Sequence, residues 1–200
     1  MANLPDDIDF AEQLGYSIKH IAYGSIQENE VNVSAYPTFV PKDKLLSQVG
    51  KQMNALEIFC EGLGSTVYYG PGAGPKPTAS AVIADLVDLS NGGWPSQGST
   101  QIKAKLSKES TQKFSRYFNL SVKNEAGTIA TLSSLFAEEN ISIEALIQNE
   151  AKADNKKSFV PVVIISGPLS DSEASLMKNK LESTKEISNS IRQFRIHNAL

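Results

Sequence analysis

The segment Gly70-Pro71-Gly72-Ala73-Gly74-Pro75-Lys76-Pro77-Thr78-Ala79-Ser80 carries the residue pattern in this chain best suited to chemistry. Three glycines at alternate positions let a backbone approach a ligand closely, and a helix beginning after them offers unpaired N–H groups and the positive end of its dipole. Gly70, Gly72, Gly74 and Thr78 are therefore candidates to hold an anion or the polar group of a cofactor. A tight strand-to-helix turn, with Thr78 or Ser80 as N-cap, explains the same residues equally well. The spacing is neither a dinucleotide fingerprint, which needs G-x-G-x-x-G and an acidic residue about twenty positions on, nor a P-loop ending in G-K-S/T.

Other chemistry is thinly represented. Cys60 is the only cysteine, which excludes an internal disulfide and a thiolate zinc site. His20 and His197 are at no recognisable ligand spacing, so no metal site is expected. Lys42 and Lys76 read as exposed lysines, and no residue is assigned to catalysis. A formal charge of -3 provides no phosphate-attracting excess, so nucleic acid is not an expected partner. The longest apolar runs, such as Phe159 to Ser166, are far short of the roughly twenty residues a membrane helix requires. Residues 1–9 lack a targeting signature, and the expected location is the cytoplasm.

The elements that must position these residues follow from hydrophobic periodicity. Ile8, Ala11 and Leu14 predict a short helix over 6–14 that stops at Gly15. Runs 17–22 and 31–40 predict a first hairpin, with Pro37 and Pro41 suited to an edge or a strand end, and runs 55–60 and 65–69 predict a second. After the glycines, Val82, Ile83, Leu86 and Leu89 form the stripe of a helix. Residues 94–115 read as a polar linker. From there the order is strand 117–122, helix 128–139, strand 142–148, strand 158–166, a turn at Gly167-Pro168, helix 171–183 and strand 191–197. In the first of these helices Ile129, Leu132, Leu135 and Phe136 make the buried stripe, and Asn140 stands where a left-handed C-cap is tolerated. This βαββαβ succession is the split βαβ arrangement of ferredoxin-like folds, and it predicts both helices on one face of a sheet whose other face or edge is left for a second copy.

The residues GPGAGPKPTASAVIADLVDL resemble the glycine-rich segment and following helix near the end of the catalytic region of homoserine dehydrogenases. DIDFAEQLGYSIKHIAYG and YPTFVPKDKLL resemble the parts leading up to it, and NEAGTIATLSSLFAEENISIEALIQ is similar to an ACT domain, the regulatory module that many bacterial members carry at the C-terminus. The resemblance implies an α+β chain in three parts: residues 1–93 from the catalytic and dimerisation region with a mixed sheet, a linker at 94–115, and an ACT domain at 116–200. It implies an oxidoreductase that interconverts L-homoserine and L-aspartate 4-semialdehyde with NADP or NAD, on the route to threonine, methionine and isoleucine. Gly70, Gly72 and Gly74 would then lie near the nicotinamide half of the cofactor, with Thr78 at the start of the supporting helix. The nucleotide-binding domain and the catalytic residues of the family lie before this region, so the sequence reads as a C-terminal portion, expected to be inactive alone and to form a homo-oligomer.

In the ACT-like part, Asn124-Glu125-Ala126-Gly127 stands where the family commonly has an Asp-x-Pro-Gly turn. An amino-acid effector such as threonine would place its carboxylate on backbone N–H groups there and its ammonium on Asn124. Gly127 keeps the permissive backbone, and Gln148 is a further polar candidate at a subunit interface. The alternative reading is a stand-alone amino-acid-sensing or interaction module in which the glycine-rich segment is structural.

Overall fold

The computed structural model describes residues 4–27, 29–93, 104–107, 112–148, 159–188 and 191–197. The elements, in chain order, are α1 (Leu4–Gln13), β1 (Tyr16–Gln27), β2 (Glu30–Pro41), α2 (Leu45–Gln48), β3 (Met53–Cys60), β4 (Gly64–Pro71), α3 (Pro75–Ser90), β5 (Lys105–Leu106), β6 (Phe114–Lys123), α4 (Thr128–Glu138), β7 (Ile143–Gln148), β8 (Phe159–Leu169), α5 (Asp171–Glu182) and β9 (Arg192–Ile196). They form two compact units: Met1–Pro41 with Ala104–Ala199, and Lys42–Lys103.

The first unit is built on the sheet order β1-β2-β9-β6-β8-β7, with β5 pairing β2 in parallel. Strands β9-β6-β8-β7 with α4 and α5 give the expected ferredoxin-like βαββαβ topology. Its core takes Phe118, Leu120 and Val122 from β6, Val160, Val162 and Ile164 from β8, Leu132 and Phe136 from α4, and Met177 and Leu181 from α5. Each such side chain removed from water contributes about 1.5–3 kcal/mol. The predicted stripe of α4 is confirmed: Leu132 and Phe136 are buried, and Ile129 and Leu135 pack partly against them. Asn140 takes the left-handed conformation, φ 56°, that its position after the helix suggests. The α5 start is a capping box, Ser170 Oγ accepting from Glu173 N at 3.2 Å while Ser170 N donates to Glu173 Oε2 at 2.7 Å.

The second face of the ferredoxin-like sheet and its β9 edge are covered by the chain itself, while β7 remains an edge. Strand β2 lies against the β9 edge, pairing Thr38 with Arg195 and Phe39 with Ile196 in parallel. The opposite face packs Tyr117, Val163, Ile165 and Ile196 against Phe39 and against Phe10 and Ala11 of α1. Strand β6 is accordingly buried on both sides, as its near-continuous burial requires. Two of the three residues predicted for the buried face of α1 are there, Ala11 fully and Leu14 in part, but the face is turned so that Asp7 and Phe10 are buried with them while Ile8 is 44% exposed. An apolar pattern cannot pick out a face that includes a carboxylate, and Asp7 is buried because Tyr117 Oη at 3.0 Å, Asn119 Nδ2 at 2.6 Å and Arg192 Nε all donate to it.

Three boundaries differ from the sequence reading. The hairpin residues up to Pro41 belong with the ferredoxin-like strands rather than with residues 42–93, because the β2–β9 ladder joins segments distant in sequence. Most of the proposed linker lies outside the described residues, but Lys105 and Leu106 pair with Glu30 and Val31, and Phe114 already belongs to β6. No turn occurs at Gly167-Pro168; β8 runs through to Leu169, and Gly167 donates to Ser142 O at 2.9 Å where a Cβ would meet Ser142 Oγ at 2.3 Å.

The second unit contains the hairpin β3–β4, with Cys60 opposite Gly64 and Met53 opposite Pro71, followed by α3. No residue of α3 is buried, and Val82, Ile83, Leu86 and Leu89 of the predicted stripe face solvent.

Candidate functional site

The four residues proposed to meet a cofactor lie together where β4 hands over to α3. Gly70 lies one pair before the end of the hairpin ladder, opposite Asn54, and a Cβ there would meet nothing within 4 Å. Gly72 N donates to Gln52 O at 2.9 Å, and the space where its Cβ would project holds the Asn54 side chain, with Nδ2 1.8 Å away. The lack of a side chain at Gly72 thus serves the hairpin itself. Gly74 is the N-cap of α3 at φ 114° and ψ 161°, a conformation essentially restricted to glycine. Thr78 is not the N-cap: it sits one turn into the helix, where its N and Oγ1 both donate to Gly74 O, at 3.1 and 2.8 Å.

This geometry limits what the site can hold. Of the four N–H groups that a helix start normally leaves unpaired, Pro75 and Pro77 supply none, so only those of Gly74 and Lys76 remain. Two donors make a poor cradle for a pyrophosphate. The open backbone at Gly70 and the positive-φ Gly74 suit instead the close approach of a flat or sugar-like group.

The turn 124–127 is exposed and leads directly into α4, with Gly127 as left-handed N-cap at φ 93°. Its N–H groups lie at a helix start, as an anion contact requires. Gln148 ends β7 exposed, paired with Val162, which in turn pairs with Leu120. It therefore stands two strands across from β6 and three residues short of Lys123, about 14 Å from the turn by ladder geometry. Within one chain Asn124 and Gln148 do not form a single site.

Sequence reasoning passed over a charged cluster in the first unit. Arg116, the first residue after the proposed linker, is buried and donates through Nη2 to Asp171 Oδ1 at 2.7 Å. Burial works against the Asp171 carboxylate, yet the hydrogen bond from Arg116 and the charge of Arg195 hold it below its ordinary value. Burial also raises the Tyr117 phenol, helped by the adjacent Asp7, so it stays protonated. No local pattern flags such groups, since the partners are 55 and 24 residues apart in sequence. Among the described residues no cluster of three or more His, Cys, Asp or Glu suits a metal, and no helix is long and apolar enough to cross a membrane.

Comparison with known proteins finds that the family profile of homoserine dehydrogenase matches residues 3–87. The chain is 36% identical over 155 residues to the homoserine dehydrogenase of Neisseria gonorrhoeae, covering 71% of this chain and 35% of that one. With the Bacillus subtilis homoserine dehydrogenase it shares 30% identity over 195 residues, 94% of this chain and 45% of the relative. A solved homoserine dehydrogenase from Thiobacillus denitrificans superposes on 97% of this chain and 45% of its own length, with a TM-score of 0.83 at 27% identity. The chain spans between about a third and just under half of these relatives.

Proposed function

We propose that this chain supplies the C-terminal portion of an NAD(P)-dependent homoserine dehydrogenase, an oxidoreductase interconverting L-homoserine and L-aspartate 4-semialdehyde. The reading rests on one observation: similarity to homoserine dehydrogenases runs through both compact units, along 97% of the chain in the Thiobacillus denitrificans comparison. In that role NADP or NAD supplies the hydride acceptor, and Gly70, Gly72, Gly74 and Thr78 shape the backbone against which its nicotinamide half rests. The proline-blocked start of α3 agrees with contact to a part of the cofactor other than its phosphates. The βαββαβ part acts as an ACT regulatory module, and an effector such as threonine meets the turn Asn124–Gly127, with Gln148 contributing across a subunit interface. The solvent-facing stripe of α3 provides a surface for assembly into a homo-oligomer.

The test is a chimera in which this chain replaces the matching 45% of the Bacillus subtilis enzyme. Homoserine-dependent reduction of NAD(P), followed by nicotinamide absorbance, is expected from the chimera and not from the 200-residue chain alone, because hydride transfer needs cofactor and acid–base groups positioned together. A folded chimera without turnover refutes the assignment.

A further inference from the structure

At the β2–β9 junction, where α5 begins, two guanidiniums share one carboxylate. Arg116 and Arg195 are direct cross-strand partners on β6 and β9, each buried, an arrangement of like charges that is destabilising without compensation. Asp171, the first residue of α5, accepts from Arg116 on Oδ1 and from Arg195 on Oδ2. Arg116 Nη2 also reaches Leu169 O at 3.2 Å, and Arg195 Nη1 reaches Ser34 Oγ at 2.8 Å. The Arg195 guanidinium lies over the Tyr36 ring, 4.0 Å from its centroid.

Two deficits remain. Two cations against one anion leave the cluster one positive charge in excess, and Nε of both arginines is buried with no hydrogen-bond partner. Buried charges in proteins are ordinarily paired, so the excess positive charge of the cluster calls for a counter-ion. Burial, reinforced by Arg195 and only partly offset by Asp171, holds the Arg116 guanidinium below its ordinary value. Beside the cluster is a cavity of about 210 Å³ lined by both arginines and Asp171 together with Tyr36, Ser175 and Gln193.

We propose that this cavity is a binding site for a small oxyanion, the carboxylate or phosphate group of a metabolite, with Arg116 and Arg195 as its ligands. An oxyanion cancels the excess charge and accepts from guanidinium forks, whose geometry matches both groups. Gln193 adds a neutral donor, and Tyr36 contributes an aromatic wall. The lining residues come from β2 on one side and from α5 and β9 on the other, across a β2–β9 ladder only two residue pairs long. Occupancy therefore tightens that junction by mass action.

The complete chain is titrated calorimetrically with inorganic phosphate and, separately, with acetate at fixed ionic strength. Saturable one-to-one binding of at least one, in the millimolar range or tighter, is expected; phosphate alone assigns a phosphoryl ligand, acetate alone a carboxylate. Ser175 is exposed on α5, so Ser175→Glu keeps the fold while placing a competing carboxylate at the rim, and it should weaken binding about tenfold or more. Arg195→Lys, which keeps the charge but loses the fork, should weaken it similarly. No saturable binding of either anion by the unmodified chain overturns the proposal, as does binding unchanged in both variants.

Discussion

Replacing Asp7 by alanine should unseat α1 from the sheet. The carboxylate is fully buried and accepts from Tyr117 Oη at 3.0 Å, from Asn119 Nδ2 at 2.6 Å and from Arg192 Nε. Deleting one partner of a buried ion pair costs about 3–5 kcal/mol, because the other is left without its counter-charge. The Arg192 side chain is 24% exposed and partly rehydrates, which argues for the lower end, about 3 kcal/mol. At roughly 2–4 °C per kcal/mol for a unit of this size, the unfolding midpoint falls by about 6–12 °C. Urea and thermal unfolding of the complete chain by circular dichroism measure the loss, and hydrogen exchange at the α1 amides locates it. Ile8→Ala, at a 44% exposed position of the same helix, is the control and should cost less than about 1 kcal/mol. If Asp7→Ala cost no more than Ile8→Ala, the reasoning would fail: α1 would then be held by Phe10 and Ala11 alone. In a double-mutant cycle, adding Arg192→Ala to Asp7→Ala should cost less than Arg192→Ala does alone.

Gly74→Ala should destabilise the β4–α3 turn by about 1–3 kcal/mol through backbone strain at φ 114°, whereas Gly70→Ala, with open space beside it, should be nearly neutral; limited proteolysis at the turn distinguishes them. The hydrogen bond from Lys113, with the N–H and hydroxyl of Ser170, holds the Glu173 carboxyl at about 2, below its ordinary 4.5. Its stabilisation is therefore present above pH 4.5 and lost as the pH falls towards 2, so the stability gap between the native chain and Glu173→Gln should close over that window. With its side chain 45% exposed, that gap is under about 1 kcal/mol; a gap constant with pH in acid unfolding would refute the assignment. Asn124→Asp should strengthen threonine binding to the complete chain by adding a charge-assisted contact at the turn, and calorimetry showing no gain from the added carboxylate would move the effector away from Asn124.

Local periodicity and turn chemistry, read from the sequence, determined most of the element list. The strands read at 117–122 and 158–166, the 3.6-residue stripe of 128–139, Asn140 beyond the helix and the βαββαβ order all reappear, because each depends on neighbours within about a turn or a hairpin. The Ser170–Glu173 capping box was equally local and could have been read in advance. The glycine-rich turn was legible as a turn, but its two-proline helix start bears on what can bind there only once Pro75 is seen to be the first helical residue.

Tertiary structure alone decided which surfaces are covered. Residues 16–41 join the ferredoxin-like sheet because β2 pairs with β9 across more than 150 positions of sequence. The face of α1 rotates to bury Asp7 because Tyr117, Asn119 and Arg192 meet it there. Arg116, Asp171 and Arg195 become one cluster only when β6, α5 and β9 are side by side. A charge or carboxylate has no periodic signature that distinguishes a solvated face from a paired interior, so its burial is determined by partners that only the folded chain brings within hydrogen-bond reach.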